Sequence, residues 1–492
     1  MKRLLIGGLM LTPLGACALG AAPPAPDLRT PAAYEAPAGQ PLAAQALDRW
    51  WTLYGDAQLE SLVERALAEA PDARTAAAKL REAQAVRRQA LWATLPQGDI
   101  QGSAAKTRTD QVSGAQTGFV SGLGESESET LNFNVSWELD LWGKLRAARR
   151  AANADLAGAR FDYESSRAAL AASVADSLFQ ARGLAVQLDD ARETLRIQRA
   201  LHDVAAKKAG LGLAPSSDAD RTAADVAQSE AQAASLAAQL QAARRTLLVL
   251  VGRGADPLDS LPAAAAVGTA PPPPAAVPGD LLARRPDVRQ AQTRFESALG
   301  RLSYDKRALF PSFTLKPGVG LTRNVQPGSN IPGVGVIPGL DSTTSNWTLG
   351  AGLTVPVLDL PKLLAEVRAQ NARAEQAGIA YEKAVQTAYS EAENALVGLN
   401  ADENGVRLLT AGEAKARSAY DAARKGYGAG LSDLTSALQA EQQWRAARTA
   451  LTGAQVQALR RSVQTFKALG GGWSPAGLAQ QPAAPAAPKS SR

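Results

Sequence analysis

Residues 132–145 read Asn132-Phe133-Asn134-Val135-Ser136-Trp137-Glu138-Leu139-Asp140-Leu141-Trp142-Gly143-Lys144-Leu145. The first eight alternate. Phe133, Val135, Trp137 and Leu139 fall on one side of an extended chain, and Asn132, Asn134, Ser136 and Glu138 on the other. After Gly143 the period changes. Lys144 to Ala209 contains no Pro and few Gly, and Leu156, Tyr163, Leu170 and Leu184 keep one heptad phase. Val174, Leu188 and Leu195 keep the phase four positions later, with polar interruptions such as Ser177 and Gln198. At ~1.5 Å per residue such a helix reaches on the order of 100 Å. A two-sided strand therefore runs into a very long helix.

The same order occurs twice. Pro71-Asp72-Ala73-Arg74 returns as Pro286-Asp287-Val288-Arg289, and Leu95-Pro96 as Phe310-Pro311. Asp140-Leu141 returns as Asp359-Leu360, and Gly210-Leu211-Gly212-Leu213 as Gly428-Ala429-Gly430-Leu431, all shifted by 215 to 219 positions. The chain is a tandem repeat, with units at 46–255 and 281–473 joined by a Pro-rich connector, 256–280. Each unit is expected to hold a helix (Leu59 to Thr94; Pro286 to Leu309) and a β-hairpin (about 96–140; about 311–356). A long helical hairpin follows (144–251; 362–469). Pro71 and Pro286 suit helix starts, with Asp72 and Asp287 in the first turn. Glu125, Glu127 and Glu129 are assigned to the polar loop of the first hairpin, and a Pro/Gly-rich loop to the second.

Four strands are too few to close a membrane barrel, and an open sheet in lipid leaves backbone groups unpaired. Three copies would supply twelve strands, a usual barrel size. The long hairpins would then stand side by side as a hollow cylinder. The same pattern also suits a soluble coiled-coil protein with a small β patch.

The ends speak to compartment. Lys2 and Arg3 precede a short apolar run, and Leu14-Gly15-Ala16-Cys17 closes it. This is a lipobox, so 1–16 reads as a lipoprotein signal peptide with Cys17 as the lipidated residue. The alternative is an ordinary secretory signal. Ala18 at the next position favours the outer membrane. Residues 17–45 form a Pro/Ala-rich tether, flexible or polyproline-like, and 474–492 a disordered tail.

Composition excludes much else. The 492 residues hold one Cys and one His, too few for a structural zinc site or a disulfide framework. His202 lies on the heptad phase of Leu195, where packing explains it. No metal, cofactor or catalytic residue is expected beyond the lipid on Cys17. The net charge of +6 comes without a basic cluster interleaved with aromatics, so nucleic acid is not an expected partner. The paired arginines Arg149–Arg150, Arg244–Arg245 and Arg460–Arg461 read as solvated or ion-paired helix positions.

Trp137 to Leu145 resembles the strand-to-helix junction of TolC-like outer-membrane factors. The closest likeness is to the lipoprotein branch serving resistance–nodulation–division efflux systems, the OprM/NodT-like branch. Phe466-Lys467-Ala468-Leu469-Gly470-Gly471-Gly472-Trp473 resembles that branch's C-terminal signature. Arg285 to Val288 and Trp50-Trp51 through Leu59 resemble its other landmarks, so the likeness runs from Ala46 to Trp473.

The resemblance implies a mainly α fold with a membrane β-barrel. It implies a homotrimer with a twelve-stranded barrel and a twelve-helix tunnel, in which no reaction is catalysed. Its partners would be a periplasmic adaptor, an inner-membrane pump and outer-membrane lipid. The chain would be a gated passive conduit, lipid-anchored in the outer membrane with a periplasmic tunnel. Gly210, Leu211, Gly212 and Leu213 at one helix tip, and Gly428, Gly430 and Leu431 at the other, would meet the adaptor. Tyr427 falls where the family places a gate aromatic. The family's acidic ring is replaced here by Gln439 and its apolar constriction by Thr435, with Asp433 a nearby acid. A duct for type I protein secretion shares the fold, and a pore-less structural lipoprotein is a third reading.

Overall fold

The computed structural model describes residues 23–36, 44–109, 124–213, 215–272, 275, 278–326, 328–331, 335–429 and 431–474. Cys17 and Gly430 lie outside the described residues, as does the C-terminal tail beyond 474. The helices are α1 (Ala44–Asp48), α2 (Ala57–Glu69), α3 (Pro71–Trp92), α4 (Lys144–Gly210) and α5 (Ser216–Leu250). After the connector come α6 (Asp280–Arg284), α7 (Pro286–Ala308), α8 (Leu360–Gly428) and α9 (Leu434–Ala468). The strands are β1 (Gln97–Thr109), β2 (Gly124–Leu139), β3 (Ser312–Gln326), β4 (Ser329–Ile331), β5 (Gly335–Ile337) and β6 (Leu340–Thr354). Two compact units result: residues 83–156 with 294–378, and residues 26–82, 157–293 and 379 onward.

The first unit carries one antiparallel sheet in the order β1-β2-β3-β6. Its register sorts side chains into rows. Ile100, Phe133, Val319 and Trp347 stand opposite one another across all four strands. The next row is Gln101, Asn132, Gly320 and Asn346. One face is thus apolar and the other polar, and the apolar side chains are exposed, Trp347 to 79%. Pro317 lacks an N–H for the ladder, and β2–β3 pairing skips Val135 and Ser136 opposite it.

Glu125, Glu127 and Glu129 lie within β2 rather than in a loop. Their alternation with serines continues the strand period, and Glu125 and Glu127 pair with Lys106 of β1 at 3.0 and 3.1 Å. The Pro/Gly-rich loop of the second hairpin contains the short β4–β5 pair, which its composition hid.

At the base of the sheet Asp140 caps α4. Its two carboxylate oxygens accept the N–H groups of Leu145 and Arg146, each at 2.9 Å. Slight burial opposes ionisation, but these bonds and Arg146 hold its carboxyl below the usual range. Trp142 stacks on Phe310 at 5.3 Å and donates its indole N–H to the Pro311 carbonyl.

The second unit is helical. The expected single helix Leu59 to Thr94 is two helices. Pro71 cannot donate and pushes Ala70 to φ −58, ψ 141, outside the helical region, so α2 ends and α3 begins. Trp50, Leu59, Val63, Leu178, Leu247, Leu248 and Phe466 form the core that joins α2, α4, α5 and α9. No described helix is long and apolar enough to cross a membrane.

The Gly-Gly-Gly-Trp ending has a packing reason. Gly470 has φ +77, and a Cβ there would lie 2.9 Å from the Arg284 carbonyl oxygen. A Cβ at Gly471 would lie 2.8 Å from the Phe466 carbonyl oxygen. Trp473 Nε1 donates to that same Arg284 carbonyl at 2.8 Å. The neighbouring Arg285 is buried, bonded to Asp287, to Glu391 at 2.7 Å and to the Ala468 carbonyl at 3.1 Å. Of the double arginines, Arg460 pairs with Asp176 at 2.6 Å and Arg461 with Asp402 at 3.0 Å, whereas Arg244 and Arg245 donate to carbonyls of the segment after α5 and Arg149 to Thr94.

The tether departs from the flexible reading. Residues 26–36 dock on α8. Asp27 N–H donates to Glu382 at 2.5 Å, and Glu35 and Ala36 both donate to Glu393. Tyr34 stacks on Tyr389 at 5.8 Å, and Ala36 is buried beside Val288 and Val385. Two α8 glutamates hold by its backbone a segment whose own side chains gave no signal.

Candidate functional site

The described tip and gate residues of the expected site lie at the ends of the two helical hairpins, in the second unit. Each long helix must release its last carbonyls there. After Gly210, the Gly212 N–H bonds the Ala209 carbonyl at 3.0 Å and the Leu213 N–H bonds the Lys208 carbonyl at 2.9 Å. Gly212 sits at φ +69, so this is a Schellman closure that needs glycine. At the other tip Leu431 N–H bonds the Gly426 carbonyl at 2.8 Å, the same six-residue closure. Gly210 and Gly428 are the last residues of α4 and α8.

Both turns present leucine to solvent. Leu211 and Leu213 are each 74% exposed and Leu431 is 85% exposed. A Schellman turn often packs its apolar residue back on the helix. Here three of them point outward.

Beyond the second tip Asp433 is the N-cap of α9 and accepts the Ser436 N–H at 2.8 Å. Those bonds to Ser436 hold its carboxyl below the usual range. Thr435 and Gln439 are exposed one turn apart on α9. Tyr427 is half-buried. Its hydroxyl accepts from Lys208 Nζ at 3.3 Å, and the same ammonium lies 5.0 Å from the ring centroid. Lys208 thus joins the end of α4 to the end of α8, a role its sequence position did not announce.

Above the tips is a second polar layer. His202 Nδ1 lies 3.1 Å from Thr222 Oγ1 of α5, a packed and satisfied position. Gln198 of α4 bonds Glu441 of α9 at 2.8 Å. Gln198 was visible in sequence as a polar break in the heptad seam, but its partner 243 positions away was not. Among the described residues no cluster of His, Cys, Asp and Glu could hold a metal ion.

Comparison with known proteins agrees with this architecture. Residues 62–253 and 277–471 match the family described as outer membrane efflux protein. The chain is 29% identical over 469 residues to the pyoverdine export outer membrane protein OpmQ of Pseudomonas putida, covering 94% of this chain and 97% of that one. It is 27% identical over 490 residues to the probable efflux pump outer membrane protein TtgC of the same species, covering 97% of both. The outer-membrane channel OprN superposes with a TM-score of 0.73 at 25% identity, over 92% of this chain and 97% of that one. The CmeC outer membrane channel of Campylobacter jejuni superposes with a TM-score of 0.75 at 20% identity, over 92% and 95%.

Proposed function

The chain belongs to the outer membrane efflux protein family, and from that premise we propose that it is the outer-membrane conduit of a tripartite efflux pump. Members of this family are outer-membrane channels rather than enzymes. Three copies form a homotrimer, with one twelve-stranded barrel and one twelve-helix tunnel. The tunnel receives substrate from a periplasmic adaptor and an inner-membrane resistance–nodulation–division pump.

The observation that carries this reading is the sheet. Within it β1 and β6 are edge strands, each paired on one side only. Its apolar face extends from Leu139 to Leu131 on β2, nine residues, and ends at Glu129. Nine residues is the length of a tilted membrane-crossing strand. A sheet with one lipid-compatible face, one polar face and two open edges needs further copies to close in a membrane.

The leucine tips suit adaptor docking, since exposed apolar side chains at a helix end gain by being covered. Tyr427, Thr435 and Gln439, with Asp433, form the gate region. A lipid on Cys17 anchors the trimer in the outer membrane. The test is reconstitution of the full chain into planar bilayers, with crosslinking in native membranes. Stepwise ion conductance and a crosslinked trimer are expected. A non-conducting monomer would overturn the proposal.

A further inference from the structure

The Gln198–Glu441 contact is a buried polar pair between α4 and α9, each residue 1% exposed. Gln198 Nε2 donates to Glu441 Oε2 at 2.8 Å. The remaining polar atom of each side chain, the amide oxygen Gln198 Oε1 and the carboxyl oxygen Glu441 Oε1, has no hydrogen-bond partner among the described residues. Two acceptors lacking a donor, on side chains already joined by one bond, lack one proton between them. An ionised carboxylate can only accept. A neutral carboxylic acid facing an amide forms a two-bond ring, the amide N–H to one carboxyl oxygen and the carboxyl O–H to the amide oxygen.

The surroundings favour the neutral form. Glu441 faces Gln198 from α4, Asp225 from α5, Tyr420 from α8 and Arg445 on its own helix. Burial raises its pKa, Arg445 lowers it less, and Asp225 raises it further. Arg445 Nε lies 3.5 Å from Glu441 Oε1, and that nitrogen has no hydrogen-bond partner among the described residues. It stands ready for the ionised carboxylate. A cavity of about 460 Å³ is lined by Gln198, Asp225 and Arg445 among others, so it reaches both of the groups Glu441 can bond.

We propose that Glu441 is a proton-operated latch between α4 and α9. Protonated from water, it closes the two-bond ring with Gln198. Ionised, it returns the proton to water, turns to Arg445 and gives up one bond to α4. Because the folded form binds the proton more tightly, the latch contributes most below the ordinary glutamate pKa of 4.5. That contribution is lost as pH rises through the folded value. The seam beside the gate region is therefore tighter in acid.

The test uses the full-length chain in detergent. Infrared difference spectra across a pH titration should contain a protonated-carboxyl carbonyl band that Glu441→Gln removes. The same variant, which keeps the ring's shape, should flatten the pH dependence of thermal unfolding. Arg445→Gln removes the partner of the ionised state and should move the band's midpoint upward by about one pH unit. Identical spectra and pH profiles for wild type and Glu441→Gln overturn the latch. Should that variant not fold, an unmoved midpoint in Arg445→Gln overturns it alone. The band reads the latch whether or not the protein conducts.

Discussion

The side-chain oxygens of Asn132 and Asn346 close over Gly320 from the two strands that flank it. A Cβ at Gly320 would come within 2.6 Å of Asn346 Oδ1 and closer still to Asn132 Oδ1. Gly320→Val should therefore displace both amides from the polar face. Overpacking of this kind costs roughly 1–3 kcal/mol. A lowered thermal midpoint of the protein would register it, and an unchanged one would show that the asparagines swing freely away.

Gly470 meets backbone rather than side chain, so its neighbour cannot yield. Both its φ of +77 and the nearby Arg284 carbonyl oppose any larger residue. Gly470→Ala should destabilise by about 1–3 kcal/mol, read as a lower thermal midpoint. Gly453 has open space around it, and Gly453→Ala in the interior of α9 serves as the contrasting control.

Asp287 predicts an acid response. Burial opposes its ionisation, yet the guanidinium of Arg285 holds its carboxyl below the ordinary 3.8. The depressed value means its stabilising effect is present above pH 3.8 and is lost as pH falls through the folded value. Asp287→Asn should remove that contribution, about 1 kcal/mol for a half-exposed partner. Its stability should accordingly be less steep with pH in that acid window.

The exposed tip leucines should matter for export and not for folding. Leu211→Asp with Leu431→Asp leaves both Schellman closures, which use backbone atoms only. Export in a susceptibility panel should fall to the level of a deletion strain, with trimer content unchanged. Full resistance in the double variant would remove the tips from the docking surface.

Cys17→Ser should abolish acylation. Metabolic labelling with a palmitate analogue should report no lipid on the variant, while wild type is labelled. Label retained on the serine variant would place the lipid elsewhere.

Much of the fold was legible because it is periodic. The alternation at Asn132 to Leu139 and the heptads after Lys144 are local signals, and the repeat supplied each of them twice. Local chemistry also gave the Pro71 and Pro286 helix starts. It failed where a partner is remote. Lys208 says nothing of Tyr427, and Gln198 nothing of Glu441, since loop closure over such separations leaves no trace in composition. The glutamates of β2 misled for the opposite reason. Their charge suggested a loop, whereas their alternation with serines was the better guide to a strand.

The docked segment on α8 has a mechanical consequence. With Cys17 acylated, ten residue steps separate the lipid from Asp27. Fully extended, they reach at most about 36 Å. With that lipid in the membrane, the clamp formed by Glu382 and Glu393 would act as a depth gauge. It would cap how far from the lipid this part of α8 can hang, and a Glu393→Ala change that freed the strap would lengthen the leash.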